Sequence, residues 1–227
     1  MKTNFIKISS AVLILVAHAS LAWSQGFINL NFEHPVLPLT SDGFGIPTTN
    51  GIPGWTAYFT DTSGTYINPE IFYDTRAIDG AAVSLHDTNS DSLQPLQGQF
   101  SLLLQGSSPF FPPASASIGQ TGRIPLNALS ITFYLSLDSS FQVSFNGQNI
   151  SLLQLSSTSN YGIMGGDISA FAGQTGQLLF TALPNVGYGG LDNIRFSSSS
   201  IPEPSSLALG ALGALLFGFR RRRIVSR

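Results

Sequence analysis

Aromatic side chains gather in one stretch of the sequence, beside polar residues that can contact a ligand. They are Trp55, Tyr58, Phe59, Tyr66, Phe72 and Tyr73, with Asp61, Asn68, Asp74 and Arg76 nearby. Flat aromatic faces next to amides and carboxylates are typical of carbohydrate sites. Trp55 follows a Pro-Gly turn and is expected in the core. We therefore predict Tyr58, Tyr66 and Tyr73 as the surface residues that bind a ligand.

The sequence shows no set of residues that matches a catalytic constellation. The central region has two histidines, His34 and His86, and His86 adjoins Asp87 along a predicted strand end instead of facing it. No Gly-x-Ser-x-Gly elbow occurs among the many serines. Spacing alone does not place carboxylates such as Asp74 and Asp79 across a scissile bond. A non-catalytic protein is expected, and a hydrolase with an unrecognised site is the alternative.

Positive charge is concentrated at the two ends of the chain. Between residues 25 and 200 the basic residues are Arg76, Arg123 and Arg195, against eleven carboxylates. A lysine-free, acidic domain lacks the basic surface that replaces the counterions of phosphate groups, so we expect no nucleic-acid partner. Polyanionic ligands are disfavoured for the same reason. The chain has no cysteine, which excludes disulfides and thiolate zinc sites.

Residues 1–24 have the order of a secretory signal peptide. Lys2 and Lys7 precede an apolar stretch at 8–21, and small residues follow at Ala22 and Ser24. The apolar core is shorter than the ~20 residues that span a bilayer, which disfavours a permanent anchor. We expect a signal helix that is removed, with cleavage after Ser24 preferred to cleavage after Ala22.

Residues 197–227 form a second end with a distinct order of parts. A serine spacer and a Pro-Glu-Pro tripeptide precede an apolar segment at 207–219, and four arginines follow. A helix of that segment rises only ~20 Å against a hydrocarbon core of ~30 Å. Snorkelling of Arg220 makes a thin transmembrane helix feasible. The positive-inside bias would keep the arginines cytoplasmic and the domain outside.

This order of parts resembles the PEP-CTERM sorting signal of Gram-negative bacteria. The residues that carry the resemblance are Pro202, Glu203, Pro204, Arg220, Arg221, Arg222 and Arg223. In that family a membrane protease-transpeptidase, the exosortase, recognises and removes the tail. The resemblance implies an exported protein that is transiently anchored in the inner membrane and then passed to the cell surface or the extracellular matrix. A plain stop-transfer anchor is the alternative.

The central residues 25–196 are expected to form one all-β domain, because short apolar segments alternate with Gly, Pro, Asn or Asp. Ile131, Phe133 and Leu135 alternate with polar residues, and Asn146-Gly147 predicts a type I′ hairpin within a meander. Strands are predicted at 26–32, 55–60, 81–85, 99–105, 114–120, 127–137, 142–145, 148–155, 161–169, 176–182 and 190–196. This pattern favours a two-sheet antiparallel β-sandwich of the jelly-roll type.

Four short segments of this domain resemble the galactose-binding-like jelly roll, a superfamily that includes many carbohydrate-binding modules. They are Asn29-Leu30-Asn31-Phe32-Glu33, Ile52-Pro53-Gly54-Trp55, 168–174 and 189–194. In such modules a carboxylate near the first strand and one on the last strand often help to hold a structural calcium ion. The resemblance implies that Glu33 and Asp192, joined by Asn31, hold Ca²⁺ here, with six to eight oxygen ligands required. The alternative is a turn glutamate and an edge aspartate.

Three classes of function follow from these observations. The first is an exported, non-catalytic protein of the cell envelope or exopolysaccharide matrix that binds a polysaccharide. The second is a secreted hydrolase that acts on polysaccharide. The third is a purely structural component of a surface layer or matrix without a small ligand.

Overall fold

The computed structural model describes residues 26–36, 45–91, 93–136 and 139–201. The predicted signal peptide at 1–24, the predicted membrane helix at 207–219 and the seven residues of the sorting signal lie outside the described residues. Within those ranges, no helix has the length and apolar character needed to cross a membrane.

The described chain consists almost wholly of short strands. Its strands are β1 Gly45–Pro47, β2 Thr56–Asp61, β3 Gly64–Asn68, β4 Glu70–Tyr73, β5 Ala82–Asp87, β6 Phe100–Gln105, β7 Ser115–Arg123, β8 Ser130–Ser136, β9 Gln142–Phe145, β10 Gln148–Ile150, β11 Leu152–Ser157, β12 Tyr161–Asp167, β13 Thr175–Ala182 and β14 Tyr188–Ser197. One turn of α-helix, α1 Thr48–Gly51, follows β1, and a 3₁₀ turn, Ser169–Phe171, follows β12.

The strands form two sheets that pack as a sandwich. The eight-stranded sheet has the order β1-β4-β5-β6-β14-β8-β12-β11, and the six-stranded sheet has the order β10-β9-β13-β7-β2-β3. Among the described strands, β4 and β5 alone pair in parallel. The predicted all-β, two-sheet sandwich is therefore confirmed, with one parallel pair that makes the larger sheet mixed.

The core lies between the two sheets and is rich in aromatic side chains. In β13, Leu178, Phe180 and Ala182 are buried while the residues between them are half-buried, as alternation in a strand requires. Phe180 meets Phe133 of the other sheet edge-to-face, with ring centroids 5.2 Å apart. Trp55 is buried, and its Nε1 donates to the carbonyl oxygen of Asn29. The predicted core position of Trp55 is thus confirmed.

The predicted hairpin is present, but the meander around it is not. Asn146 and Gly147 have φ values of 48° and 76°, which a type I′ turn requires, and they join β9 to β10. The preceding strand β8 lies in the other sheet, so its apolar side chains face those of β9 across the core. The predicted strand at 148–155 is divided in the same way, because β10 and β11 belong to different sheets.

Residues 26–32 do not form the predicted strand. Gly26 makes an isolated bridge with Arg123, and the chain then turns. Asn29 and Phe32 have φ values of 49° and 56°, which are incompatible with an extended backbone. Phe32 is nevertheless fully buried. The apolar pattern that predicted a strand is therefore explained by a turn that places one side chain in the core.

The outer face of β5, β6 and β14 is covered by residues 93–99. Leu93 and Leu96 lie over Gly190, and Leu96 N donates to Ser101 Oγ at 2.8 Å. As a result, several side chains that point away from the core between the sheets are nevertheless buried. They are His86, Ser101, Leu103 and Asp192. We refer to this part of the eight-stranded sheet as the covered face. It places several polar groups out of contact with water.

Candidate functional site

Three loops meet at one pole of the sandwich and enclose a cleft of about 540 Å³. They are residues 74–81 between β4 and β5, 106–114 between β6 and β7, and 183–187 between β13 and β14. We call it the distal cleft. The polar and aromatic residues of its lining are Arg76, Asp79, Gln105, Ser108, Asn185 and Tyr188.

Backbone hydrogen bonds tie the three loops to one another. Ser108 N donates to Asp79 O at 2.8 Å, and Asn185 N donates to Ser107 O at 2.8 Å. Gly106 N donates to the carbonyl oxygen of Gly187, the last residue of the third loop, at 3.1 Å. A Cβ at Gly106 would overlap the carbonyl oxygen of Leu183, so this close approach requires glycine. The distal cleft is therefore formed before any ligand binds.

Gln105 lies in the distal cleft with a fixed amide. Its Nε2 donates to Ala77 O at 3.0 Å and to Gly80 O at 2.8 Å, so both amide hydrogens are used. A flip of the amide would break these two bonds. Gln105 Oε1 is buried and accepts no hydrogen bond from the protein. An unpaired buried acceptor is unfavourable, and Gln105 Oε1 has almost no surface open to the cleft, so the role of this amide is to hold the first loop in place.

Tyr188 and Arg76 form the exposed wall of the distal cleft. Tyr188, directly opposite Gln105 in the sheet, is 45% exposed. The guanidinium carbon of Arg76 lies 4.5 Å from the centre of the Tyr188 ring, which is the geometry of a cation–π contact. Ile78 and Phe110, in two of the loops, are each about 90% exposed. The cleft thus combines fixed polar groups with an apolar rim.

The distal cleft and the described chain ends lie at opposite poles. Strand β14 starts at Tyr188 in the cleft and ends at Ser197, whose carbonyl oxygen accepts from Leu129 N. A ten-residue strand is about 30 Å long at ~3.3 Å per residue. Gly26 lies at the same pole as Ser197, since it bridges the end of β7 at Arg123. The sorting tail therefore starts at the pole away from the cleft.

The structure does not gather the three predicted ligand-binding tyrosines into one site. Tyr58 on β2 is half-buried and its hydroxyl accepts from Gln177 Nε2 at 3.0 Å. Tyr66 on β3 is 50% exposed and lies opposite Phe59, on the other face of the six-stranded sheet from Tyr58. Tyr73 on β4 belongs to the eight-stranded sheet. Their role in ligand binding stays a prediction.

Tyr73 is held inside a polar network instead of being presented to solvent. Its hydroxyl donates to Asp87 Oδ2 at 2.7 Å, and Asp74 Oδ1 accepts from Asp87 N at 2.9 Å. Burial, the hydrogen bond to Asp87 and the two negative charges raise the pKa of Tyr73 well above its ordinary value. Of the three tyrosines, Tyr66 has the most accessible ring.

The structure brings together two of the three predicted calcium ligands. Glu33 Oε1 accepts from Gln99 N at 2.9 Å and from Phe100 N at 3.2 Å, and its Oε2 accepts from Gln99 N at 3.1 Å. The negative charge of Glu33 acts on Asp192. Asn31 is exposed and makes no side-chain hydrogen bond within the described residues. The two carboxylates cap the loop that precedes β6.

Asp192 is the most strongly perturbed carboxyl group of the covered face. Its Oδ2 accepts from Gln97 N at 3.0 Å and Ser101 Oγ at 2.8 Å, and its Oδ1 accepts from Asn193 N at 2.6 Å. Burial raises the pKa of Asp192 to about 7, the three hydrogen bonds oppose this, and the charge of Glu33 adds to it. Glu33 Oε2 and Asp192 Oδ1 each keep one acceptor position. The described residues contain no group of three or more histidine or carboxylate side chains suited to a metal ion.

His86 is buried on the covered face, and His34 is exposed. The Nδ1 of His86 shares a hydrogen bond with Ser90 Oγ at 2.7 Å, and its Nε2 has no partner. Burial and the positive charge of Arg76 lower the pKa of His86 to about 4, so the ring is neutral at pH 7. A fully buried imidazole that solvent does not reach is poorly placed to exchange protons with a polymeric substrate.

The residues predicted to bind a ligand did not include Gln105, Asn185 or Tyr188. The one local signal is the turn before Tyr188, where Asn185 and Gly187 have φ values of 66° and 79°. Loops that carry polar and aromatic residues between strands often form binding sites. The sequence does not show that this turn meets residues 74–81 and 106–114, because strand pairing far along the chain decides that.

Comparison with known protein families identifies the C-terminal end. Residues 200–223 match the PEP-CTERM protein-sorting motif. The chain carries this sorting motif. The motif indicates a protein exported by a Gram-negative bacterium, sorted through the membrane and processed by an exosortase. The predicted resemblance of the tail is thereby confirmed. No curated protein matches the sequence significantly.

Comparison with solved structures finds similarities at low sequence identity. TmCBM61, in complex with β-1,4-galactotriose, is 14% identical with a TM-score of 0.42 over 77% of this chain and 99% of that one. The K2 cleaved adhesin domain of Lys-gingipain is 13% identical with a TM-score of 0.39 over 74% and 95%. A family 11 carbohydrate-binding module from Clostridium thermocellum, in complex with a β-1,3-1,4-mixed-linked tetrasaccharide, is 12% identical with a TM-score of 0.36 over 70% and 97%. These values assign no ligand to this chain.

Proposed function

We propose that this chain is an exported, non-catalytic protein of the cell surface or extracellular matrix that binds a glycan in the distal cleft. The observation that carries the proposal is a preformed cleft in which the exposed guanidinium of Arg76 lies on the exposed ring of Tyr188, beside polar groups of the surrounding loops. Saccharide sites need hydroxyl-directed polar groups in fixed positions and a face against which C–H groups can pack. The distal cleft offers both.

Each polar group of the distal cleft suits a different part of a sugar. Asp79 can accept from a hydroxyl, and Gln105 keeps the loop that carries Asp79 in place through its hydrogen bonds to Ala77 and Gly80. Arg76 donates, and the Asn185 side chain can do both. Tyr188 and the apolar rim then pack against the ring carbons.

The composition of the cleft also favours binding over hydrolysis. Glycoside hydrolysis commonly uses two carboxyl groups that flank the scissile bond. Among the residues that line the distal cleft, Asp79 is the one carboxylate. A secreted hydrolase with a different site is the alternative function, and a turnover assay on the same polysaccharides distinguishes it from a binding protein.

The position of the cleft supports display at a surface. Both described chain ends lie at the opposite pole, and the sorting motif begins there. While the tail is anchored, the cleft faces away from the membrane. A polymer in the matrix can then reach it without passing the bilayer.

Affinity electrophoresis of the purified protein in gels that contain soluble polysaccharides tests the proposal. We expect retention on at least one polysaccharide, and we expect Tyr188→Ala to weaken that retention at least tenfold, since the packing ring is removed. Leu126→Ala, which removes an exposed apolar side chain at the opposite pole, is the matched control and should bind as the wild type does. Loss of binding in Tyr66→Ala and not in Tyr188→Ala would show that the site lies at the edge of the six-stranded sheet. Absence of retention on every polysaccharide would refute glycan binding.

A structural calcium ion held by Glu33 and Asp192 is a separate proposal. It is supported by the proximity of the two carboxylates and by the acceptor position that each leaves open. The ion would crosslink the turn after Gly26 to β14 and stabilise the loop before β6. It would take no part in the distal cleft.

A further inference from the structure

Arg76 differs from the other two arginines of the domain in its hydrogen bonds. Arg123 Nε donates to Gly173 O at 3.0 Å, and Arg195 Nε donates to Asn193 Oδ1 at 2.8 Å. Arg76 donates to no acceptor among the described residues, and its guanidinium stacks on the ring of Tyr188. Its side chain is exposed at the wall of the distal cleft.

The carboxylates near Arg76 do not neutralise it. Asp87 accepts from Tyr73 and from Asn89 N at 2.6 Å, and Asp74 accepts from Asp87 N. Asp79 lines the same cleft, yet in the described structure it makes no ion pair with Arg76. The positive charge of Arg76 reaches His86 instead, where it helps to lower the pKa of that buried ring. An acidic domain thus keeps one unpaired cation at its binding pole.

We infer that the glycan bound in the distal cleft carries a carboxylate, as a uronic acid residue does, and that Arg76 binds this carboxylate. The inference rests on the proposed glycan binding and names the class of sugar. A guanidinium presents two parallel N–H donors that match the two oxygens of a carboxylate. The cation–π contact with Tyr188 holds the guanidinium plane in place before the ligand arrives, which reduces the entropy lost on binding.

The remaining cleft residues complement the hydroxyl groups of such a sugar. Asp79, on the same loop as Arg76, can accept a hydroxyl hydrogen, and Asn185, on the third loop, can donate or accept. Neutral hydroxyls and one carboxylate therefore have distinct partners.

The overall acidity of the domain limits how the ligand can lie. Between residues 25 and 200 the chain has eleven carboxylates and three arginines, so a long polyanion laid across the surface would be repelled. One carboxylate placed at the cleft pole avoids this repulsion. Recognition then depends on a single ion pair, and the binding constant should fall only modestly with added salt, in contrast with the steep dependence of nucleic-acid binding.

Matched pairs of acidic and neutralised polysaccharides test the inference with the purified protein. The probes are polysaccharides in which uronic acid residues are widely spaced, glucuronoxylan and gum arabic, each compared with its carboxyl-reduced form, and galactan is the neutral reference. We expect the wild type to bind at least one acidic polymer tenfold or more tightly than its neutralised partner. Arg76→Gln should abolish that preference, Arg76→Lys should keep part of it, and Arg123→Gln at the other pole should behave as the wild type does.

The outcomes separate this inference from the proposal on which it rests. Equal binding of both members of each pair, or a preference that survives Arg76→Gln, would refute the carboxylate contact and leave glycan binding intact. Retention on galactan alone would do the same. Binding to no saccharide would refute the proposed function itself. Thermal melting of each variant, with a midpoint within a few degrees of the wild type, confirms that a lost preference does not reflect unfolding.

Discussion

Asp192 lies on the covered face of the eight-stranded sheet, and Arg76 lies on a loop of the same sheet, in the distal cleft. The two charged groups differ in their hydrogen-bond partners. Asp192 is 1% exposed and accepts three hydrogen bonds from the protein. Arg76 is exposed and donates none within the described residues. Residues 93–99 close over the first region, whereas three loops hold the second open.

This difference separates structural polar groups from groups available to a ligand. A buried group whose partners belong to the protein stabilises the fold, and its removal leaves those partners unsatisfied. A group whose hydrogen-bonding capacity is unused contributes little to folding and remains free to bind. His86 Nε2 is the exception on the covered face, because it is buried and has no partner.

The largest effect that we predict contrasts these two regions directly. Asp192→Ala leaves Gln97 N, Ser101 Oγ and Asn193 N without their acceptor, and it should lower the free energy of unfolding by about 3 kcal/mol. Arg76→Gln should change the free energy of unfolding by less than about 0.5 kcal/mol, since it removes no hydrogen bond. Urea unfolding at pH 7 measures both values. Similar losses for the two variants would show that the comparison is wrong.

A second prediction uses pH to distinguish two groups of the covered face. The pKa of Asp192 is raised from 3.8 to about 7, so the folded protein holds this proton more tightly than the unfolded chain does. The contribution of Asp192 is therefore fully present at low pH and is lost as the pH rises from about 4 to about 7. The pKa of His86 is lowered from 6.5 to about 4, so its contribution is lost as the pH falls from about 6.5 to about 4.

The two contributions oppose each other in the wild type, and variants should reveal each one. Relative to the wild type, Asp192→Asn should gain stability as the pH rises from about 4 to about 7. His86→Gln should gain stability relative to the wild type as the pH falls from about 6.5 to about 4. Differences from the wild type cancel the shared titrations of Asp74, Asp87 and Asp167. Parallel stability curves for all three proteins between pH 4 and pH 8 would contradict the assignment.

The smallest effect that we predict concerns calcium at the edge of the covered face. If Glu33 and Asp192 hold the ion, a chelator should lower the free energy of unfolding by about 1 kcal/mol when free calcium is about fivefold above the dissociation constant. Glu33→Gln should remove most of this response, whereas Asp79→Asn in the distal cleft should retain it. A melting midpoint that does not respond to a chelator or to added calcium would refute the calcium site.

Local sequence signals predicted the sheets better than they predicted the connections between them. The alternation in β8 and in β13 and the Asn146-Gly147 turn depend on neighbouring residues, and all three are present in the structure. The assignment of β8 and β9 to one meander was wrong, because the pattern of buried residues is the same whether two strands are neighbours in one sheet or face each other across a core. The sequence does not distinguish these arrangements locally.

The predicted ligand residues show the same limit. Tyr58, Tyr66 and Tyr73 are close along the chain, but successive residues of a strand alternate between faces, and neighbouring strands can enter different sheets. Proximity in sequence therefore did not produce a shared surface. Glu33 and Asp192 lie far apart in the sequence, and both accept hydrogen bonds from residues 97–101, a contact that local spacing does not reveal; their role in binding calcium stays a prediction.

The sequence by itself determined the features that depend on the order of residues within one segment. These are the sorting tail, with its tripeptide, apolar stretch and arginines, and the all-β character of the acidic domain. Only the tertiary structure decided that Arg76, Gln105 and Tyr188 meet. Gln105 lies at the end of β6 between β5 and β14, so this meeting depends on the pairing of distant strands. Such pairing follows from the burial of the whole core, which no single segment encodes.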